Sequence, residues 1–295
     1  MPIDVEKVVG AELPAAVATW DADDVILYHV GIGAGVPATD DNELEYTYEA
    51  RLKVLPSFGV IPVFGALGGM IGLEGMSFNP MMLLHGEQAI TLHKPLPTSA
   101  KVSTSGRIAN VYDKGKGAAV VIEAETRDDA GDLLCTNRFL AFIRGEGGFG
   151  GEPGPAPGNV APEREPDVVA ELTTLPQQAL IYRLSGDKNP LHVDPAFAAM
   201  GGFDTPILHG LCSYGIVCKV VVDHALGGDV TKVAGYEARF AGVLFPGETI
   251  VTSMWREGEK VLINAVCKER GTPVITNAAI TVAGSGALAP REEKE

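Results

Sequence analysis

Residues 145–166 of this chain read GEGGFGGEPGPAPGNVAPEREP. A run so dense in glycine and proline carries no regular element: proline lacks the N–H that helices and ladders use, and glycine loses most entropy on ordering. It reads as a linker. It falls near the middle of 295 residues, a length that suits two domains better than one core. The two halves also resemble each other, in order. ILYHVGIGAG (26–35) lies over LIYRLSGDKN (180–189), sharing Tyr28 with Tyr182, and LLHGEQ (83–88) lies over ILHGLC (207–212). PLPTSAKVSTS (95–105) lies over LFPGETIVTSM (244–254), and LLCTNRFLAFI (133–143) over PVITNAAITVA (273–283). One such match arises easily by chance. Four in the same order mark an internal repeat.

The spacing between the matches differs. The second half carries LCSYGIVCKVVVDHAL after its His-Gly, nearly continuous in apolar residues and free of proline. That predicts a buried helix. The first half instead carries FGVIPVFGALGGMIGLEG before its His-Gly. Its glycines predict an irregular or broken helix with room beside it. Residues 101–112, 117–128 and 133–144 are rich in Val, Ile and Thr and are separated by DKGKG and DDAGD. They predict strands joined by tight turns. ETIVTSMWRE, KVLINAVCKE and PVITNAAITV repeat the pattern in the second half. A helix followed by an antiparallel meander, occurring twice, makes the fold α+β.

Formal net charge is −15. Nucleic acid is therefore not the expected partner, since it selects a cationic surface. No apolar run reaches the ~18 residues of a membrane span, and MPIDVEKVVGAELP lacks the pattern of a signal peptide. The terminal REEKE reads as a charged tail with no peroxisomal address. Cys135, Cys212, Cys218 and Cys267 form no CxxC pair and have no histidine at zinc spacing. They read as reduced, buried thiols of a cytoplasmic protein.

The densest chemistry lies in TTLPQQALIYRLSGDKNPLHVDPAFAAMGG. Thr174 and Pro176 open a short helix that ends at Gly186; Asp194 caps a second, with Pro195 in its first turn and Gly201 as its stop. Asp187, Asn189 and His192 are thereby pinned on a loop between two short helices. Such a loop can turn Asp187 and His192 toward one water, which suits general acid–base chemistry near neutral pH. Asn189 either donates to the same site or holds the loop. Asp and Asn are also ordinary turn residues, so spacing alone leaves both readings open.

YRLSGDKNPLHVDPAFA followed by PILHGLCSYG resembles the hydratase 2 motif of the (R)-specific enoyl-CoA hydratases, the MaoC-like dehydratase family. Tyr182, Ser185, Gly186, Asp187, Asn189, Pro190, His192 and Asp194 carry the match. The resemblance covers the whole chain and implies two fused hot-dog units, each an antiparallel sheet wrapped on a central helix. It implies a non-catalytic unit over 1–146, the linker over 147–166 and a catalytic unit over 167–295 with the complete helix. The implied reaction is reversible syn hydration of trans-2-enoyl-CoA to (3R)-3-hydroxyacyl-CoA in β-oxidation, without cofactor or metal. Asp187 and His192 would hold and activate water and handle the α-carbon proton, Asn189 would orient the site, and Gly210 would offer its N–H to the thioester oxygen. A glycine at a helix start suits that role through its free N–H, the helix dipole and close approach.

The first half has Gly33 where Asp187 stands and no histidine at the matching spacing, so it is not expected to catalyse. The resemblance gives it a binding role, with His85, Gly86 and Lys114 near CoA or the acyl chain. Lys188, Pro190, Leu191 and Phe240 join them as substrate contacts. Lys114 equally suits a solvated turn, and Phe240 a core strand. His29, His93, His209 and His224 read as structural. The open first-half segment suggests long or bulky acyl groups. A homodimer is expected. The rival readings are a (3R)-hydroxyacyl-carrier-protein dehydratase, a hot-dog thioesterase and a silent acyl-CoA-binding subunit.

Overall fold

The computed structural model describes residues 3–284, so the terminal REEKE lies outside the described residues. The strands are β1 (Glu12–Trp20), β2 (Leu83–Leu92), β3 (Ala100–Asp113), β4 (Gly117–Asp128), β5 (Leu133–Arg144), β6 (Val168–Thr173), β7 (Val233–Phe240), β8 (Thr249–Glu257), β9 (Lys260–Cys267) and β10 (Pro273–Val282). The helices are α1 (Val5–Val8), α2 (Ala22–Gly31), α3 (Asp41–Thr47), α4 (Phe64–Leu67), α5 (Gln178–Tyr182), α6 (Pro195–Met200) and α7 (Gly210–Ala225). None of these helices is long and apolar enough to cross a membrane.

Two compact units result: Met1–Asp21 with Gly59–Ala156, and Ala22–Phe58 with Pro157–Glu295. Each holds the same antiparallel arrangement, β1-β3-β4-β5-β2 in the first and β6-β8-β9-β10-β7 in the second. The repeat is therefore real at the level of strand order. Alternation explains the sheets: β9 buries every second residue, Val261, Ile263, Ala265 and Cys267, as a strand with one core-facing side does.

The predicted buried helix is α7, in which every residue from Leu211 to Val222 is buried. The predicted broken helix is a 3-10 segment over Pro56–Val63, then α4, then a 3-10 turn over Gly68–Met70. Pro62 lies inside the first of these, where it removes a helix donor.

Several expectations need correction. LLHGEQ and ILHGLC are not structural counterparts. Gly86 lies within β2 at an irregularity in the pairing with β5, while Gly210 opens α7. Thr174 does not cap α5; its hydroxyl donates to the Glu248 carbonyl at 2.8 Å, and the Leu175 N–H goes to the Gln178 side chain at 3.0 Å. Strands β1, β2 and β6 were not foreseen, and of β7 only Phe240 was read as a strand position.

Residues 22–58 belong to the second unit although they come from the first half of the chain. The Gln178 amide donates to the Gly31 carbonyl at 2.6 Å. A Cβ on Gly31 would lie 3.2 Å from the Tyr182 Cα, so α2 packs directly under the helix that leads into the Asp187 loop. Lys219 of α7 binds Glu43 of α3 at 2.5 Å and Asp223 at 2.7 Å. His29 donates from Nδ1 to the Tyr46 carbonyl at 2.8 Å and accepts the Leu55 N–H on Nε2 at 3.2 Å, which makes it a neutral structural histidine.

Candidate active site

The Asp187 loop is built from local signals. Helix α5 runs into a 3-10 turn over Arg183–Ser185, and Gly186 stops it with φ +139°, a backbone region that favours glycine. The Asp187 carboxylate accepts the Asn189 N–H at 3.1 Å. The Asn189 side-chain oxygen accepts the Leu191 N–H at 3.0 Å and caps a 3-10 turn over Pro190–His192. Asp194 accepts from Ala196 and Phe197, Pro195 opens α6 and Gly201 follows it. Of the two roles open to Asn189, its side-chain oxygen serves the loop.

His192 is buried, and its Nδ1 contacts the Ile207 carbonyl at 2.9 Å. A carbonyl only accepts, so Nδ1 carries the hydrogen and Nε2 keeps its lone pair in the neutral ring. Burial lowers the His192 pKa; the Ile207 bond and Asp187 oppose that shift. The ring is thus held neutral and basic at Nε2, with Asp187 beside it. His209, fully buried, stacks on His192 with centroids 3.8 Å apart and planes at 29°. Its Nε2 donates to the Asp187 backbone carbonyl at 3.2 Å. Burial, aided by His192, pushes its pKa down to about 3.

Asp187, His192 and His209 each offer a ligand atom within 4.8 Å of the other two. The sequence shows no cluster at metal spacing, because 22 residues separate Asp187 from His209. Stacking opposes a shared ion. Imidazole ligates in its ring plane, and the two rings stack with centroids 3.8 Å apart and planes only 29° apart, so their in-plane lone pairs run alongside each other rather than converging on an ion between them. The arrangement suits proton transfer instead.

Gly210 follows His209 and starts α7. Its N–H is among the donors that a helix start leaves without an intrahelical acceptor. A Cβ there would lie 3.4 Å from the Phe240 ring. The fold therefore brings Asp187, Asn189, Pro190, Leu191 and His192 onto one loop, and Gly210 against Phe240. Lys188 is exposed, and its carbonyl accepts from Arg183 at 3.3 Å.

The other expected contacts lie in the first unit. His85 stacks on Phe139 at 3.8 Å and donates from Nε2 to the Glu87 carbonyl at 3.1 Å. Its ring is packed even though the residue as a whole keeps part of its surface, and desolvation lowers its pKa. A Cβ on Gly86 would lie 2.8 Å from Leu140, so close sheet packing accounts for that glycine. Lys114 is exposed in the β3–β4 turn and donates to the Pro153 carbonyl; a phosphate would have to compete with that bond. The sequence reading of His209 as a structural residue did not include its bond to the Asp187 carbonyl or its stack on His192; its only local trace is the position just before Gly210.

Residues 19–145 match the model of the MFE-2 hydratase 2 N-terminal domain, and residues 158–278 that of the MaoC like domain. An enoyl-CoA hydratase of Mycobacterium tuberculosis, ChsH3, is 43% identical over 277 residues, 93% of this chain and 97% of that protein. The chain belongs to the MaoC-like hydratase 2 family. Peroxisomal enoyl-CoA hydratase 2 of Arabidopsis thaliana is 41% identical over 90% of this chain and 91% of its own. Among solved structures, a MaoC-like dehydratase from Phytophthora capsici superposes with TM-score 0.86 at 35% identity, covering 97% of this chain and 100% of that one. The full-length peroxisomal multifunctional enzyme type 2 of Drosophila melanogaster superposes with TM-score 0.80 at 34% identity, over 92% of this chain and 48% of that one. A Mycobacterium tuberculosis protein with a double hot-dog fold superposes with TM-score 0.60 at 11% identity, over 95% of this chain and 98% of that one, and this chain has the same fold.

Proposed function

We propose that this family member hydrates trans-2-enoyl-CoA reversibly to (3R)-3-hydroxyacyl-CoA by syn addition, as a step of β-oxidation. The observation that carries the reading is the His192 tautomer. Its Nδ1–H is committed to Ile207, so Nε2 faces its task as a base beside the Asp187 carboxylate. Water held between the two loses a proton as its oxygen bonds to C3. The C2=C3 electron pair shifts toward the thioester, and C2 then takes a proton from the same pair, so no net proton is gained or lost. Both additions come from one loop on one face, which is what syn stereochemistry requires. The Gly210 N–H binds the thioester oxygen as negative charge develops there, with the α7 dipole behind it.

Pro190, Leu191, Phe240 and Lys188 would line the path to this centre, while His85, Gly86 and Lys114 would act from the non-catalytic first half of the chain, residues 1–146. The enzyme would need no cofactor. Dehydration of a 3-hydroxyacyl thioester is the same chemistry in reverse. A relative 41% identical is named 3-hydroxyacyl-thioester dehydratase Y, which favours that second direction. Four free, buried cysteines suit a reducing compartment such as the cytoplasm; cell fractionation tests the location, and light scattering tests for the homodimer.

The test follows loss of enoyl-thioester absorbance with crotonyl-CoA and a long-chain 2-enoyl-CoA, with product read by an (R)-specific dehydrogenase. Asp187→Asn should lose at least ~100-fold in kcat, the scale of general acid–base catalysis. Full activity in that variant, or (3S) product from the wild type, would refute the reading. Release of free CoA thiol would establish a thioesterase instead.

A further inference from the structure

We propose that His209 is a positioning residue that holds the Asp187 loop, the His192 ring and the Gly210 N–H in one geometry; the inference rests on the hydratase reading above. Three parts of the site meet on this one fully buried side chain. Its Nε2–H donates to the Asp187 carbonyl at 3.2 Å, which ties the start of the loop to the start of α7. Its ring stacks on that of His192 with centroids 3.8 Å apart and fixes the plane in which Nε2 of His192 presents its lone pair. Its own backbone leads straight into Gly210, as the N-cap of α7. The Tyr182 ring closes the cluster at 5.0 Å. The bond from His192 to Ile207 fixes the His192 ring but does not reach Asp187. His209 supplies the tie that sets the distance between the two acid–base groups.

The charge state matters to this role. The groups facing His209 are His192, Asp187, Arg183 and Tyr182. Burial, His192 and Arg183 all disfavour a cation there, so the ring remains neutral with its hydrogen on Nε2. When His192 takes up a proton during turnover, it then meets an aromatic face rather than a second positive charge, and such a face attracts a cation. A doubly charged stack would repel and pull the carbonyl of Asp187 out of reach.

Two substitutions separate these features. His209→Gln keeps an amide donor close to the place of Nε2 and loses the ring. His209→Phe keeps a ring and loses the donor. With crotonyl-CoA, His209→Phe should drop kcat by ~10–100-fold with KM within ~3-fold, the signature of displaced catalytic groups rather than lost binding. His209→Gln should recover most of that loss. The control is the histidine 15N spectrum of the wild type, which has six histidines. It should show two neutral rings with Nε2–H from pH 5 to 8, those of His85 and His209, of which one signal disappears in His209→Gln.

The inference is overturned if both variants keep kcat within about twofold of wild type, or if His209→Phe raises KM alone. It is also overturned if the His209 signal of the wild type titrates in that range or carries its hydrogen on Nδ1. An inactive wild type would instead strike the hydratase reading, and is visible before any variant is made.

Discussion

Lys219→Met is the sharpest test of how residues 22–58 are held on the second unit. Lys219 is 4% exposed. Its ammonium lies 2.5 Å from Glu43 and 2.7 Å from Asp223, and 5.1 Å from the Tyr46 ring centroid. Asp223 further accepts the Tyr46 hydroxyl at 2.7 Å and the Asn42 amide at 2.9 Å. Removing the cation leaves two nearly buried carboxylates near each other with neutral hydrogen-bond donors but no counter-charge. The cost of breaking a buried ion pair in this way is about 3–5 kcal/mol. At about 2–4 °C per kcal/mol for a chain of this size, Tm should fall by about 6–20 °C. Lys219 stands nine residues beyond Gly210 (219 − 210), roughly 14 Å along the helix at ~1.5 Å per residue. kcat measured well below the melt should therefore be unchanged. Circular dichroism melts and urea titrations of wild type, Lys219→Met, and Lys219→Met with Glu43→Gln and Asp223→Asn would read this out. The triple variant should regain at least half of the loss, because it removes the stranded charges. A single variant within about 1 kcal/mol of wild type, or a triple variant no more stable than the single, would show that the network does not fasten α3 to α7.

Further outcomes follow from the same unit. A Cβ at Gly215 would lie 2.7 Å from both Ile32 Cγ2 and the Tyr28 hydroxyl, so Gly215→Ala should be destabilising, with overpacking at ~1–3 kcal/mol exceeding the ~1 kcal/mol that alanine adds to helix propensity; urea midpoints decide. His29 has a folded pKa of about 4 against the usual 6.5, because burial disfavours its cation. Its neutral form therefore contributes stability that is present above pH ~6.5 and lost as pH falls toward 4, about 3 kcal/mol at ~1.36 kcal/mol per pKa unit. Urea stability that stays flat between pH 6.5 and 4.5 would contradict that assignment.

How much of this was legible in the sequence depends on how local the causes are. The Asp187 loop was readable because its determinants lie within a few residues of one another. Gly186 supplies the positive φ, Asn189 caps its own turn, and Asp194 caps α6 with Pro195 behind it. Strands β3, β4 and β5 were readable from alternation and turn chemistry for the same reason. β1 was not, because Pro14 interrupts it, and proline in a strand pattern normally argues against a strand; an edge position tolerates it. The His-Gly match misled because identical dipeptides serve different ends: close packing against Leu140 in β2 and a helix start in α7.

The features that escaped are those whose partners lie far apart in sequence. His209 meets Asp187 across 22 residues, and Lys219 meets Glu43 across 176. No periodicity or spacing encodes such pairs; only the folded core brings them together. The same distance explains why a repeat in sequence did not give the unit boundaries. Half of a duplicated pattern can form the same five-stranded arrangement while lending its own helix to the other unit, as α2 does when it packs beneath Tyr182. The local motif thus names the candidate groups, and the long-range contacts fix where those groups stand. The variants at His209 and Lys219 separate these two layers, because one should change kcat in a folded protein and the other should change folding with kcat intact.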